Sequence, residues 1–225
     1  EVEPASQEEV VLTKKEKEGV EDAINICKKI TSNIDVYDGS NSNSFPRVIF
    51  EKEYDILISY ISNWIVPKIV LNRTKRWNIN FHPGSPDYPG IGCFNFAIYN
   101  SAKQFGATAH IMDTTVDTGR IVGVNRFIMT KKETVETLSK KTYKALLVLF
   151  DDVMKHFITN NSLPECDEEW AKIPYKRSDL ERLATIDSNM TKTEIDKRIR
   201  ATYYKGKPAP FVELGGYRFE YNPDR

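Results

Sequence analysis

The sequence predicts an α/β protein: a Rossmann-like, mostly parallel sheet with flanking helices, followed by a small helical and β-hairpin extension. Three observations carry this. Short apolar runs alternate with segments of helical periodicity through most of the chain. One run, Asp55-Ile56-Leu57-Ile58-Ser59-Tyr60-Ile61, is almost continuously apolar, as a strand buried on both faces of a parallel sheet requires. The C-terminal stretch instead holds Phe211–Leu214 and Tyr217–Tyr221 joined by Gly215-Gly216, which is hairpin chemistry.

The elements follow in order. The opening, Glu1 to Gln7, is polar and lacks an initiator methionine, so a trimmed or incomplete product is expected. Glu9–Leu12 reads as a short strand. Lys14 to Ile30 reads as a surface helix, with Val20, Ala23, Ile24, Cys27 and Ile30 at helical spacing. Ile34–Tyr37 is a strand, and Asp38–Ser44 is turn chemistry. After the apolar strand comes a short helix, Ile65–Leu71, with Pro67 in its first turn. Trp77–Phe81 is the next strand. The loop Pro83–Cys93 is punctuated by three prolines and three glycines, so it is stiff and can bring backbone close to a ligand. A helix over Phe94–Phe105, strands over Ala107–Met112 and Arg120–Met129, and a long helix to about Ile158 complete the α/β part. Thr130 and Glu133 are expected to form the long helix's capping box. Asn160–Pro164 marks the boundary, giving a catalytic domain over 1–160 and an extension over 161–225. There Ser178/Glu181 and Thr191/Glu194 predict two further caps.

Bulk properties narrow the function. Lys and Arg number 32, as do Asp and Glu, and this zero balance argues against a nucleic-acid partner. Three scattered cysteines with no CxxC pair suit a reducing compartment, so a cytoplasmic protein is expected. No apolar run approaches the ~18 residues of a membrane helix, and no membrane association is expected. No metal-ligand spacing is legible, and no metal is expected.

The chemistry concentrates between residues 80 and 119. Asn80 and His82 fall at a strand end, and Asp117-Thr118-Gly119 begins thirty-five residues after His82. In an open parallel sheet, ligands gather beyond the carboxyl ends of strands. An amide can polarise a carbonyl, an imidazole can receive a proton, and a carboxylate can orient that imidazole. That equipment suits acyl transfer without a covalent nucleophile. Singly, each residue has an ordinary explanation: a turn-forming Asn, a hydrogen-bonded His, a common Asp turn. Together, beside a stiff loop, they favour function. His110 reads as structural, His156 as a surface residue, and nothing marks Cys93 as a nucleophile.

Asn80-Phe81-His82-Pro83, Tyr88-Pro89-Gly90, Asn95–Ile98, Gly106–Asp113 and Val116–Gly119 together resemble the 10-formyltetrahydrofolate-dependent formyltransferases. The resemblance covers about residues 55–160 and has five elements in the family's order. It implies that Asn80, His82 and Asp117 are the catalytic residues and that N10-formyltetrahydrofolate is the co-substrate. The pterin would then lie against Ser62, Asn63, Trp64 and Ile65 on one side and Met112, Asp113 and Val116 on the other; Trp64 could equally pack in the core. One departure is that the family's opening strand with its glycine turn is not legible before Glu1, so it is expected to be lost or degraded.

Within that family the chain looks most like the short N-formyltransferases of nucleotide-linked amino sugars, such as dTDP-4-amino-4,6-dideoxyglucose. Methionyl-tRNA formyltransferase and formyltetrahydrofolate hydrolase are the alternatives. The purine enzymes usually show Ser-Leu-Leu-Pro after His-Pro, where this chain has Gly84-Ser85-Pro86-Asp87. Tyr88 and Asn95 could hydrogen-bond the sugar. Arg198, Arg200, Tyr203, Tyr204 and Lys205 could contact the nucleotide, or simply form a solvated helix face. The resemblance also implies a homodimer, for which the alternating Tyr217, Phe219 and Tyr221 offer an apolar face.

Overall fold

The computed structural model describes residues 8–41, 44–171 and 173–224. The polar opening over 1–7, and Ser42 and Asn43 of the expected loop, lie outside the described residues. Among the described residues the strands and α-helices follow in the order β1 (Glu9–Thr13), α1 (Val20–Ile30), β2 (Ile34–Asp38), β3 (Ile56–Tyr60), α2 (Lys68–Arg73), β4 (Trp77–His82), α3 (Cys93–Tyr99), β5 (Gln104–Ile111), β6 (Ile121–Ile128), α4 (Val135–Asn160), α5 (Arg177–Ala184), α6 (Lys192–Thr202), β7 (Phe211–Leu214) and β8 (Tyr217–Glu220).

Six strands form one sheet in the order β2-β1-β3-β4-β5-β6. The first four run parallel, and β5 and β6 are antiparallel additions. The first strand of the described residues, β1, lies between β2 and β3, with all five residues buried. The connection after it, Lys14–Glu18, is polar and leads to Gly19 at the start of α1.

Alternation along the strands sends side chains to two layers. Val11, Ile58, Ile79 and Phe81 face α1 and α4. The Phe81 and Phe150 rings lie 4.6 Å apart, and Tyr60 meets Phe150 edge-on at 5.2 Å. Burying each such aromatic contributes about 2–3 kcal/mol. Val10, Leu12 and Leu57 face the other way, onto Val70 and Leu71 of α2. On that second face the far end of β4 is bordered by the loops after β3, β4 and β5. The site forms there.

The extension is stitched to the catalytic loop. Ala171 N–H donates to Pro86, Tyr175 N–H to Pro89, and Ile91 N–H to Tyr175. Tyr175 stacks on Phe96 at 3.7 Å and 7°. Arg126 of β6 binds Asp87 of the loop and Glu168 of the extension, each at 2.6 Å. The β7–β8 hairpin forms about the Gly215-Gly216 turn. Among the described residues, no helix is long and apolar enough to cross a membrane.

Two expected caps are corrected. Helix α4 begins at Thr134, whose hydroxyl accepts from the Thr137 N–H. Glu133 instead gathers the hydroxyls of Thr130 and Thr137 and the Lys141 ammonium. Helix α5 is capped through the Lys176 N–H, which donates to Asp179 at 2.7 Å, rather than through Ser178. Thr191 does cap α6, accepting from the Glu194 N–H at 3.3 Å.

Candidate active site

Asn80 and His82 lie on the same face of β4 because they are two residues apart. β5 pairs antiparallel with β4 and sets His110 directly opposite Asn80. Asp117 follows this neighbouring strand, which runs antiparallel to β4. It lies in the β5–β6 connection, which curls back over the sheet face. Asp117 takes a left-handed backbone conformation, with φ 50°, a region Asp tolerates better than most residues.

The three side chains converge. Asp117 Oδ2 is 3.3 Å from His82 Nδ1 and accepts from the Gly90 N–H at 2.8 Å. Asp117 Oδ1 is 3.3 Å from His110 Nε2. Asn80 Nδ2 is 3.0 Å from His110 Nε2 and 3.4 Å from Asp117 Oδ1. His110 Nδ1 donates to the Ile111 carbonyl at 2.9 Å, which turns its Nε2 toward the pair. His110 is thus part of the site rather than merely structural.

Glycine makes two close approaches possible. Gly90 has φ +85°, and a Cβ there would stand 2.4 Å from the Tyr175 carbonyl oxygen. A Cβ on Gly84 would stand 2.4 Å from His82 Nε2.

The electrostatics assign protons. Burial pushes the His82 proton affinity down; the Asp117 charge pulls it up, His110 pushes it down, and the net result is lowered. Burial opposes the charge on Asp117, but His82, His110 and the Gly90 amide outweigh it and hold the carboxyl well below the ordinary carboxylate range. The resting state is a neutral imidazole beside an ionised carboxylate. Nδ1 faces the Asp117 carboxylate at 3.3 Å, which leaves Nε2 as the second ring nitrogen. It is buried and has no hydrogen-bond partner among the described residues. Cys93, pushed up to about 12 by burial, donates its thiol to the Pro83 carbonyl and is no nucleophile.

These residues line a cleft of about 380 Å³. Its walls include Ser62, Asn63, Trp64 and Ile65 on one side and Met112, Asp113 and Val116 on the other. All seven residues expected at a cofactor site thus border the same space as Asn80, His82 and Asp117. Trp64 is both wall and core, being 8% exposed and packed edge-on against Phe45.

The expected substrate contacts fare differently. Tyr88 is buried, its ring against Phe105, away from the cleft lining. Asn95 donates to the Ala201 carbonyl at 2.7 Å. Arg198 pairs with Glu194 and caps the end of α5 through three carbonyls. Arg200 donates to the Lys131 carbonyl. Their polar groups are engaged in joining helices, which removes them from the reacting centre. Tyr204, with Asn95, borders a second groove.

Sequence reasoning passed over Trp170 and Arg177. Trp170 donates its Nε1–H to Gly119 and stands edge-on to His110 at 5.0 Å and to His82 at 6.1 Å. Its only signal was a lone tryptophan after Asp167-Glu168-Glu169.

An α/β sheet carrying a neutral histidine, an orienting carboxylate and an amide around an open cleft defines a group-transfer enzyme without a covalent nucleophile. The formyl transferase family model matches residues 10–150, and the chain belongs to that family; it is an N-formyltransferase. It is 25% identical over 182 residues to GDP-perosamine N-formyltransferase of Brucella melitensis, covering 79% of this chain and 68% of that protein. It is 29% identical to methionyl-tRNA formyltransferase of Ehrlichia ruminantium over 76% of this chain, which spans 54% of that protein. Its fold matches that of the N-formyltransferase of Helicobacter canadensis, solved with folinic acid and dTDP-3-aminofucose, with a TM-score of 0.73 at 18% identity over 94% of this chain and 86% of that one.

Proposed function

We propose that this chain transfers the formyl group of N10-formyltetrahydrofolate to the amine of a nucleotide-linked amino-deoxy sugar, in the cytoplasm, for surface polysaccharide synthesis. The observation that carries the reading is His82, which lines a cleft large enough for a flat heterocycle and keeps a buried Nε2 without a partner among the described residues. The cleft suits a pterin, since apolar Trp64, Ile65, Met112 and Val116 border it together with polar Ser62, Asn63 and Asp113. The bound donor supplies the formyl carbon and its carbonyl oxygen, with tetrahydrofolate as the leaving group.

Each residue then has a task. His82 takes the proton of the attacking amine through Nε2 and returns it to N10 of the tetrahydrofolate as the N10–formyl bond breaks. Asp117 fixes the Nδ1–H tautomer and stabilises the imidazolium that results. The Asn80 amide contact to Asp117 is long at 3.4 Å, so that N–H can turn to the oxygen on which charge develops. His110 holds the amide for this, and Trp170 shields both histidines from water.

A sugar acceptor is supported by the similarity to the Brucella enzyme and by the zero net charge, which offers little to a tRNA. We assign 1–160 to catalysis and 161–225 to acceptor contacts and pairing in a homodimer. Support for pairing comes from Leu214, Tyr217 and Phe219, which are 72%, 73% and 55% exposed on one hairpin face.

The test follows tetrahydrofolate release from 10-formyltetrahydrofolate with a panel of dTDP-, UDP- and GDP-linked amino sugars. Turnover with at least one is expected. Turnover without any amine would mean hydrolysis, and turnover only with methionyl-tRNA would replace the acceptor. Asn80→Ala should lower kcat by about 10²–10³, and His82→Ala by about 10²–10⁴. Cys93→Ala should keep near-parental turnover.

A further inference from the structure

Arg177 stands where two cavities meet. It lines the catalytic cleft and also a second groove of about 370 Å³ between α3, α5, the end of α6 and the hairpin. This groove has a character of its own. Arg177, Lys207 and Arg218 are its cations and Glu181 is its carboxylate, so the balance is positive. Its floor and sides include Leu180, Ala184, Tyr204 and Phe211. The Arg218 guanidinium lies over the Phe211 ring at 3.5 Å, and its Nε reaches Glu220 at 3.2 Å. Among the described residues, Arg177 and Lys207 have no ion-pair partner and are exposed.

We infer that this groove receives the nucleoside diphosphate part of the substrate, with Arg177 gripping the diphosphate at the junction. The inference rests on the nucleotide-sugar reading and deepens it. A nucleotide sugar has three parts in sequence: an amine-bearing ring, a doubly charged linker, and a flat base on a ribose. The molecule offers three matching parts: the His82 cleft, a cation shared by both cavities, and a basic groove with aromatic and apolar walls. A guanidinium is suited to the linker because its fork matches phosphate oxygens, and it is weakly hydrated enough to work at a partly exposed site. Arg198 and Arg200 are spent on backbone carbonyls, and the cations left for an anion belong to α5, to the turn after α6 and to β8.

The groove has one rival occupant, the glutamate tail of the folate, which is also anionic. The experiment separates them. GDP and dTDP are titrated calorimetrically into the whole protein, and 5-formyltetrahydrofolate is titrated in parallel. The variants are Arg177→Ala, Lys207→Ala, Lys207→Glu and Ala184→Trp, the last filling the groove. One of the two nucleotides is expected to bind. Lys207→Ala should weaken it about tenfold and Arg177→Ala about 10–100-fold, as loss of charged hydrogen bonds does. Ala184→Trp should abolish binding. Lys207→Glu, an exposed change, should do nearly as much and keeps the test sharp if the tryptophan variant does not fold. The affinity of the Lys207 variants for 5-formyltetrahydrofolate should stay unchanged.

Nucleotide affinity indifferent to all four variants would overturn the inference. So would a loss of 5-formyltetrahydrofolate affinity in the Lys207 variants, or failure of both nucleotides to bind. The nucleotide-sugar reading itself fails on a different result: no turnover with any sugar of the acceptor panel. Turnover that survives every groove variant with unchanged KM would spare that reading and remove this inference alone.

Discussion

Burial and charge pull the proton affinity of His82 in opposite directions, and burial wins. The imidazole is therefore neutral at rest, which a general base requires. The sign of the pH dependence follows. Activity needs the unprotonated ring, so kcat/KM should fall on the acid side, with a midpoint below the ordinary value of 6.5. Asp117 does not titrate in that range, because its carboxyl is held far lower. Asp117→Asn removes the one charge that raises the His82 affinity. The acid limb should then move to still lower pH, while kcat drops by about 10²–10⁴. An acid limb above 6.5, or one that stays in place in Asp117→Asn, would exclude His82 as the base. Asn80, His82 and Asp117 were legible because their motifs carry their spacing with them. His110 was misread because its role depends on strand pairing: only the antiparallel register of β5 puts it opposite Asn80. Trp170 and the Gly90 amide were illegible for a similar reason, since both act through contacts between segments far apart in the chain.

Elements with strong local signals formed where the sequence placed them, and those decided by competition shifted. Strand β3 and the hairpin turn match their expected positions because apolar runs and Gly-Gly leave few alternatives. Helix α4 starts later than its first threonine because Glu133 is claimed by two hydroxyls and a lysine. Helix α3 stops at Tyr99, and β5 starts at Gln104 rather than Ala107, since pairing of Gln104–Gly106 with Arg126–Ile128 overrides the helical spacing. The hairpin carries its own prediction. Val212 faces Phe219 and Leu214 faces Tyr217 across the two strands, so all four share one face. Tyr221 touches Tyr203 at 5.7 Å, yet the body leaves most of the face open. A two-stranded ribbon is marginal by itself. Leu214→Glu with Tyr217→Glu should convert a dimer to a monomer in sedimentation equilibrium while the far-ultraviolet circular dichroism spectrum is retained. A parent already monomeric at micromolar concentration would remove the dimer proposal.

For the molecule as a whole, the sheet separates chemistry from storage of burial energy. The site occupies one face beyond the end of β4, whereas the opposite face holds the Tyr60, Phe81 and Phe150 rings. At the other end of the sheet, at the start of β1, sits an ionisable group the reaction does not use. Glu9 is 1% exposed, and neither carboxylate oxygen has a hydrogen-bond partner among the described residues. Burial, with help from the nearby Asp55 charge, raises it from 4.5 to about 7. The folded protein therefore keeps this proton where the unfolded chain releases it. Its stabilising contribution is complete below pH 4.5, declines as pH rises toward 7, and is gone above that. The shift corresponds to about 3 kcal/mol as an upper figure. Glu9→Gln has no proton to lose, so its stability relative to the parent should increase between pH 4.5 and pH 8. The expected gain is roughly 5–10 °C in Tm for a chain of this size. Shifts at His82 and Asp117 act equally in both proteins and cancel in that difference. Melting temperatures of the two proteins that run parallel from acid to alkaline pH would show that Glu9 does not hold its proton in the folded state.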